Sequence, residues 1–322
     1  MEQQPSLVNQ SPQRSVNIFL NERGLRPGWR LLIFIAIFLC LQSLAGVILV
    51  LFGVKRAQFA HPSPGLMLSS EFLSLCCVLI ASWIMSRIEH CNMGEYGLPL
   101  RNSQALSRFA RGYLFWGFVP LSALLLCLHG LHAFDFGTLA LHGGQILYWA
   151  ALWGLLFLFV GLFEEYLLRG YALHTLAEGI GFWPAAIVLA ALFALGHATN
   201  TGETRIGLVM TGFFAIFASV LLWRTGNLWL AVGAHAGWDW AQTYFYGVSD
   251  SGLLTPGHLL NSRIEGAAWL NGGSVGPEGS ALALPTLTLM FIAALVIYRK
   301  GQQPPRAVLY SMPLPPHDRL PE

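Results

Sequence analysis

Hydrophobic residues in this chain come in long unbroken blocks. They show neither the two-residue alternation of a half-buried strand nor the 3.6-residue stripe of a surface helix. Eight blocks stand out, at roughly 31–54, 66–86, 112–131, 145–163, 182–199, 206–223, 228–246 and 279–298. A helix needs about 20 residues to cross the apolar layer of a bilayer. Backbone amides within that layer are satisfied only in helices or closed barrels. The pattern therefore predicts an all-α integral membrane protein with about eight transmembrane helices. The fifth to seventh blocks are shorter and hold polar groups, and the second holds Glu71 near one end.

The stretches between and around the blocks complete the organisation. Residues 1–26 form a polar N-terminal tail, 27–300 a polytopic membrane domain, and 301–322 a Pro-rich C-terminal tail without apolar period. The first block is about 24 residues long, too long for a signal-peptide core, and reads as a retained anchor. Residues 247–278 form a polar loop rich in Gly, Ser and Asn. No internal repeat is visible, which argues against an inverted-repeat transporter.

Composition narrows the class further. The chain is 55% hydrophobic and 11% charged, with mean hydropathy +0.56, whereas a soluble domain carries about 25% charged residues. A soluble globular chain and a disordered one are both excluded. The cysteines at 40, 76, 77, 91 and 127 are odd in number and form no C-x-x-C, which speaks against a disulfide framework or a thiolate zinc site. The net charge is +2 and no basic stripe is present, so no nucleic-acid partner is expected. An even number of spans puts both termini on one side, and that side collects all of the 18 Lys and Arg residues except Lys55, Arg56, Arg205 and Arg263. Such a bias predicts both termini in the cytoplasm.

The chemistry lies in polar residues that lipid does not tolerate. The fourth block runs into Glu164-Glu165-Tyr166-Leu167-Leu168-Arg169. Glu165 and Arg169 stand four apart and can pair along one helix face, while Glu164 points about 100° away. Taken alone, the acidic pair reads equally well as a helix end at the interface. The fifth block carries Phe193 and His197, and such a histidine is more often structural than catalytic. The seventh carries His235 and Asp239, four apart on one face, where a carboxylate can orient an imidazole. Together these residues predict a polar intramembrane cavity shared by three helices. A carboxylate with two imidazoles suffices to hydrolyse an amide: the carboxylate takes a proton from water, and the imidazoles stabilise the oxyanion or protonate the leaving amine.

These motifs, E-E-x-x-x-R from Glu164 to Arg169, F-x-x-x-H from Phe193 to His197 and H-x-x-x-D from His235 to Asp239, resemble the CPBP family of intramembrane glutamic endopeptidases. That group includes the Rce1-type CAAX prenyl proteases and the Abi proteins. The resemblance covers about residues 145–246, and the helix count fits the fold of the CAAX proteases. It implies Glu164 as the base that activates water together with His197. Glu165 and Arg169 would hold the site, and His235 and Asp239 would stand where the family stabilises the oxyanion. Family members carry Asn or Asp at the last position; an ionised Asp cannot donate a hydrogen bond, so the reading favoured for Asp239 is orientation of His235. No cofactor or metal is implied. The expected substrate is a peptide or protein, membrane-anchored or lipidated in one branch of the family. The expected location is a bacterial cytoplasmic membrane, with the site reached from the cytoplasmic half.

Three alternatives accompany this reading. Glu164, His197 and His235 could ligate zinc in a metal-dependent membrane protease. The cluster could merely tie helices together in a non-catalytic immunity or scaffold protein of the same family. Membrane carboxylates and histidines also relay protons in carriers. The Gly-rich segment 271–280 reads most simply as a flexible turn, with lining or gating of the site as the sharper option. The remaining histidines, His174 among them, read as structural or solvated.

Overall fold

Each predicted hydrophobic block folds as a helix, since in an apolar surround every backbone N–H must find its carbonyl within the same segment. The structure, a computed structural model, describes residues 18–21, 24–59, 62–99, 103–200 and 202–299. The Pro-rich tail over 301–322 and most of the polar N-terminal tail lie outside the described residues, as do His61 and His317. The helices are α1 Pro27–Leu51, α2 Pro64–Ile88, α3 Ala105–Gly130, α4 Gly144–Ile180, α5 Phe182–His197, α6 Arg205–Thr225, α7 Trp229–Trp240 and α8 Ala283–Ile297. Helix α7 runs on as a π turn over Ala241–Phe245. Five of them, α1–α4 and α6, are long and apolar enough to cross a membrane, and α5 and α8 are shorter apolar helices. Strands among the described residues are two-residue pairs: β1 Leu20–Asn21 with β2 Gly24–Leu25, and β3 Phe134–Asp135 with β4 Arg263–Ile264. The chain is an all-α membrane protein.

Local sequence explains several boundaries. The Ser63 hydroxyl accepts from the Leu66 amide and Pro64 sits in the first turn of α2, where its missing N–H costs nothing. Thr204 caps α6 in the same way through the Gly207 amide. Gly226, with φ 73°, ends α6 in the left-handed conformation that only glycine adopts freely.

The fourth helix departs from expectation. The apolar block ends near residue 163, and a helix terminus at the acidic pair is one of two equal readings. Instead α4 continues through the pair to Ile180. It passes through a π turn over Leu167–Ala172 and bends at Gly170, whose ψ of −116° is non-helical. The acidic pair is thus mid-helix, and the fully buried charge of Glu165 must be met by side chains.

Two ends of the bundle can be told apart by their contacts. Arg30 at the start of α1 reaches Glu89 after α2 and Glu178 near the end of α4. The 89–104 and 226–228 connections meet where the Leu228 amide donates to the Gly97 carbonyl. This is the end at which α1 begins and α8 finishes. At the opposite end, the 131–143 and 246–282 connections pair through β3 and β4 and through the Ala140 amide to the Leu259 carbonyl.

Helix α7 lies at the centre, with Leu230 through Asp239 all buried. It gets there by backbone-to-backbone contact with α3. A Cβ added at Gly233 would meet the Phe109 carbonyl oxygen at 2.2 Å, and one at Gly237 the Tyr113 carbonyl oxygen at 2.2 Å. The seam is reciprocal: a Cβ at Gly112 would meet the Leu230 oxygen at 2.3 Å, and one at Gly117 the Ala234 oxygen at 2.5 Å. Small residues four apart are the usual way membrane helices bring backbones together. By contrast α1 buries only Phe34 and Ala45, and its outward Leu32, Ile35, Leu39 and Val47 present an apolar surface.

Gly237→Leu should therefore be strongly destabilising, by about 3 kcal/mol or more since backbone atoms cannot yield as side chains do. Gly196→Ala, where an added Cβ meets nothing within 4 Å, should melt within a degree or two of wild type. Thermal melting of both variants in detergent measures the difference.

Candidate active site

The three motifs fall on α4, α5 and α7 and meet beside a cavity. Glu165 is completely buried. Its Oε1 accepts from an Arg169 guanidinium nitrogen at 3.3 Å, one helical turn on, and lies 2.9 Å from His235 Nδ1. A carboxylate oxygen so placed requires Nδ1 to carry the proton. The imidazole is thereby fixed with Nε2 facing the other way, 3.5 Å from Glu164 Oε2 and 3.5 Å from Asp239 Oδ2. Glu165, rather than Asp239, is the residue that orients His235; Asp239 shares the Nε2 side with Glu164.

His197 ends α5. Its Nδ1 donates to the Phe193 carbonyl at 2.9 Å, because a carbonyl can only accept. In the neutral ring Nε2 is then an acceptor, and His197 lines the cavity. Among the described residues Glu164 makes an ion-pair contact with His235 and none with His197. Phe193 joins the two imidazoles and the arginine: its ring centre is 4.5 Å from that of His197, 6.5 Å from that of His235, and 5.1 Å from the Arg169 guanidinium carbon. The four-residue spacing of the F-x-x-x-H motif is what brings Phe193 edge-to-face against His197.

The cavity holds about 610 Å³. Glu164, His197, His235 and Asp239 line it together with Glu71 from α2. A recess of about 80 Å³ adjoins it, lined by His197, His235, Asp239, Asp250 and Glu278. Arg169 and Glu165 support the site from behind. His174 lies elsewhere, at the end of the bundle where α1 begins, with Nε2 3.4 Å from Glu178. No group of three or more His, Cys, Asp or Glu among the described residues is arranged to hold a metal ion.

Residues 146–241 match the family model of the type II CAAX prenyl endopeptidase Rce1-like proteins. Over this segment the chain is similar to that family. No curated protein and no solved structure matches the chain. The matched residues contain all three motifs, and the match supports a CAAX-type intramembrane protease at the level of the family.

Three cavity carboxylates were missed or undervalued in the sequence. Glu71 stood out as a charge inside an apolar block, but nothing tied it to the motifs. Asp250 and Glu278 lie beyond the Rce1-like segment in a polar loop, where acidic residues carry no signal. The Gly-rich segment containing Glu278 is not a free turn. Ser251 N–H donates to Glu278 Oε1 at 2.7 Å, and Gln242 on the π turn after α7 donates to Oε2. Gln242 also donates to the Ser249 carbonyl at 2.6 Å and accepts from the Trp238 indole at 2.9 Å. Gly276, with φ 122°, lets this loop close in, since a Cβ there would lie 2.2 Å from the Ser249 oxygen.

The loop residues lining the cavity, Phe59, Pro62, Asn200, Asp250, Ser251 and Leu253, all belong to connections at the end opposite to the start of α1. Cytoplasmic termini and a site reached from the cytoplasmic half are therefore incompatible expectations. The mouth faces away from the end at which α1 begins and α8 finishes.

Burial pushes the Asp250 carboxyl up to about 6, against the opposing hydrogen bond from the Thr243 hydroxyl at 3.1 Å. Burial and the neighbouring Asp250 raise Glu278 as well. A carboxyl raised in the fold contributes stability below its unfolded value, about 4, and loses that contribution as pH climbs through the folded value. Asp250→Asn, which keeps an acceptor for Thr243, should melt like wild type near pH 4. It should gain a few degrees between about pH 5 and 7. A melting series across that range in detergent tests the sign.

Proposed function

We propose that this chain is an intramembrane endopeptidase in which Glu164 activates water. The observation that carries the proposal is the split between two adjacent carboxylates. Glu165 is wholly enclosed between Arg169 and His235, while the Glu164 side chain keeps 24% of its surface open beside the same imidazole. Two like groups in unlike environments take unlike roles: the enclosed one fixes geometry, and the wetted one is free to exchange a proton.

The reaction then runs through residues at the cavity wall. Glu164 takes a proton from water, whose oxygen forms the new bond to the peptide carbonyl carbon. His235 Nε2 is held towards the cavity by Glu165 and donates to the oxyanion that develops. The carbon–nitrogen bond breaks as a proton passes to the leaving amine, from Glu164 directly or through His197 Nε2. The products are a carboxylic acid and an amine, and each proton taken from water is returned. The substrate is a peptide or a peptide segment of a protein. Preorganised donors and a positioned base each lower such a barrier by a few kcal/mol.

Glu164→Gln preserves shape but removes the base, so cleavage should fall by about 10²–10⁴-fold. Its test is comparative peptidomics of cells carrying wild type or Glu164→Gln. The peptide whose processing disappears then serves as substrate for the purified enzyme in proteoliposomes. Arg169→Met strips a buried carboxylate of its charge partner and should cost about 3–5 kcal/mol in stability. On the same substrate it should depress kcat more than KM, since Arg169 lies behind the wall; kcat unchanged would remove Arg169 from the mechanism. Activity should also survive EDTA treatment of the purified enzyme.

A further inference from the structure

The direction in which the cavity opens can be combined with the distribution of charge over the bundle. Among the described residues, the end at which α1 begins carries Arg30, Arg87, Arg108, Arg111, Arg224 and Arg299 near helix termini. The mouth end carries Lys55, Arg56, Arg205 and Arg263. Basic residues in short connections are retained on the cytoplasmic side of a membrane, and the 246–282 connection is short enough to count. The basic end is therefore cytoplasmic.

That end holds a separate cavity of about 750 Å³, lined by Arg30, Glu89 and Glu178 among others, which shares no residue with the cavity of the site. Arg30 bridges Glu89 at 2.5 Å and Glu178 at 2.5 Å, and the Tyr171 hydroxyl donates to Glu89. The 89–104 and 226–228 connections interlock through Gly97 and Leu228. None of their described residues lines the cavity of the site.

Among the described residues Glu71, Glu164, Asp239 and Asp250 line the cavity with His197 and His235, and no Lys or Arg does. The Glu71 side chain makes no hydrogen bond or ion pair among the described residues, although it lies about two turns into a membrane helix. An unpaired carboxylate in such a place is costly. A low-dielectric cleft lined by carboxylates concentrates cations.

We propose that the site takes its substrate from the extracytoplasmic side, and that this substrate is a cationic peptide segment of an exported or outer-facing polypeptide, its Lys, Arg or amino terminus received by Glu71. The inference rests on the peptidase reading for the word substrate, but the face of access stands on charge and topology alone.

Leu253 is 40% exposed and lines the mouth, and Ser103 is exposed at the basic end. Leu253→Cys and Ser103→Cys would each be made in the full chain. Intact cells would be treated with a membrane-impermeant maleimide, and labelling read by mass spectrometry at the substituted position. Leu253→Cys should label in intact cells and Ser103→Cys only after permeabilisation. The opposite pattern overturns the proposal while leaving the Glu164→Gln test of the peptidase reading untouched. For charge, two peptides differing only by lysine against norleucine would be compared on purified protein. Wild type should prefer lysine, and Glu71→Gln should reduce the ratio of the two kcat/KM values at least tenfold. An unchanged ratio overturns the role of Glu71.

Discussion

A carboxylate with no exposed surface in the middle of a membrane helix has to be answered by other charges, and Glu165 is answered on two sides. Arg169 meets it from the next turn of α4 and His235 meets it from α7. Removing either partner would leave a bare charge in a medium where that costs several kcal/mol. The same contact decides which imidazole nitrogen faces the cavity. Stability and chemistry are therefore not separable at this residue. The interaction that lets α4 tolerate an acidic pair also aims His235 at Glu164 and Asp239.

That contact needs α7 close to its neighbours, which is a matter of glycine. Side chains of ordinary size on the facing surfaces would hold α3 and α7 apart at the usual 8–10 Å. Gly112, Gly117, Gly233 and Gly237 remove them, and backbone meets backbone. Gly161 does the same for α4, where an added Cβ would meet the Val232 oxygen at 3.0 Å. Dispersion and close packing replace the hydrophobic effect as the force joining helices in lipid. The His235–Asp239 face is thus held between two helices that reach it without intervening side chains.

How much of this could be read from the chain depends on range. The helices were legible because lipid imposes one simple rule, long apolar blocks, and the motif residues were legible because they break it. Glu164, His197, His235 and Asp239 are conspicuous against leucine and alanine. Asp250 and Glu278 are not, since in a polar loop a carboxylate is ordinary; only the fold brings that loop back over α7 through Gln242 and Ser251. The continuation of α4 past the acidic pair was not legible for a related reason. Charges usually mark the interface, and nothing local says that Glu165 will find His235 seventy residues on. The end at which the cavity opens was not legible, because it depends on which connections converge, a property of topology rather than of any motif.

Aspartate rather than asparagine at position 239 has an electrostatic consequence for the proposed chemistry. Glu164, Glu165 and Asp239 surround one imidazole, and the nearest permanent cation is Arg169. Under the proposed chemistry the three carboxylates divide by their access to water. Glu164 keeps 24% of its side chain exposed, against 13% for Asp239 and none for Glu165, so the proposed base is the one that water reaches. Glu164 and Asp239 both stand 3.5 Å from Nε2 of His235. In the proposed reaction a second carboxylate on that side favours an N–H at Nε2, the donor that would meet the oxyanion, and an asparagine there would favour it less.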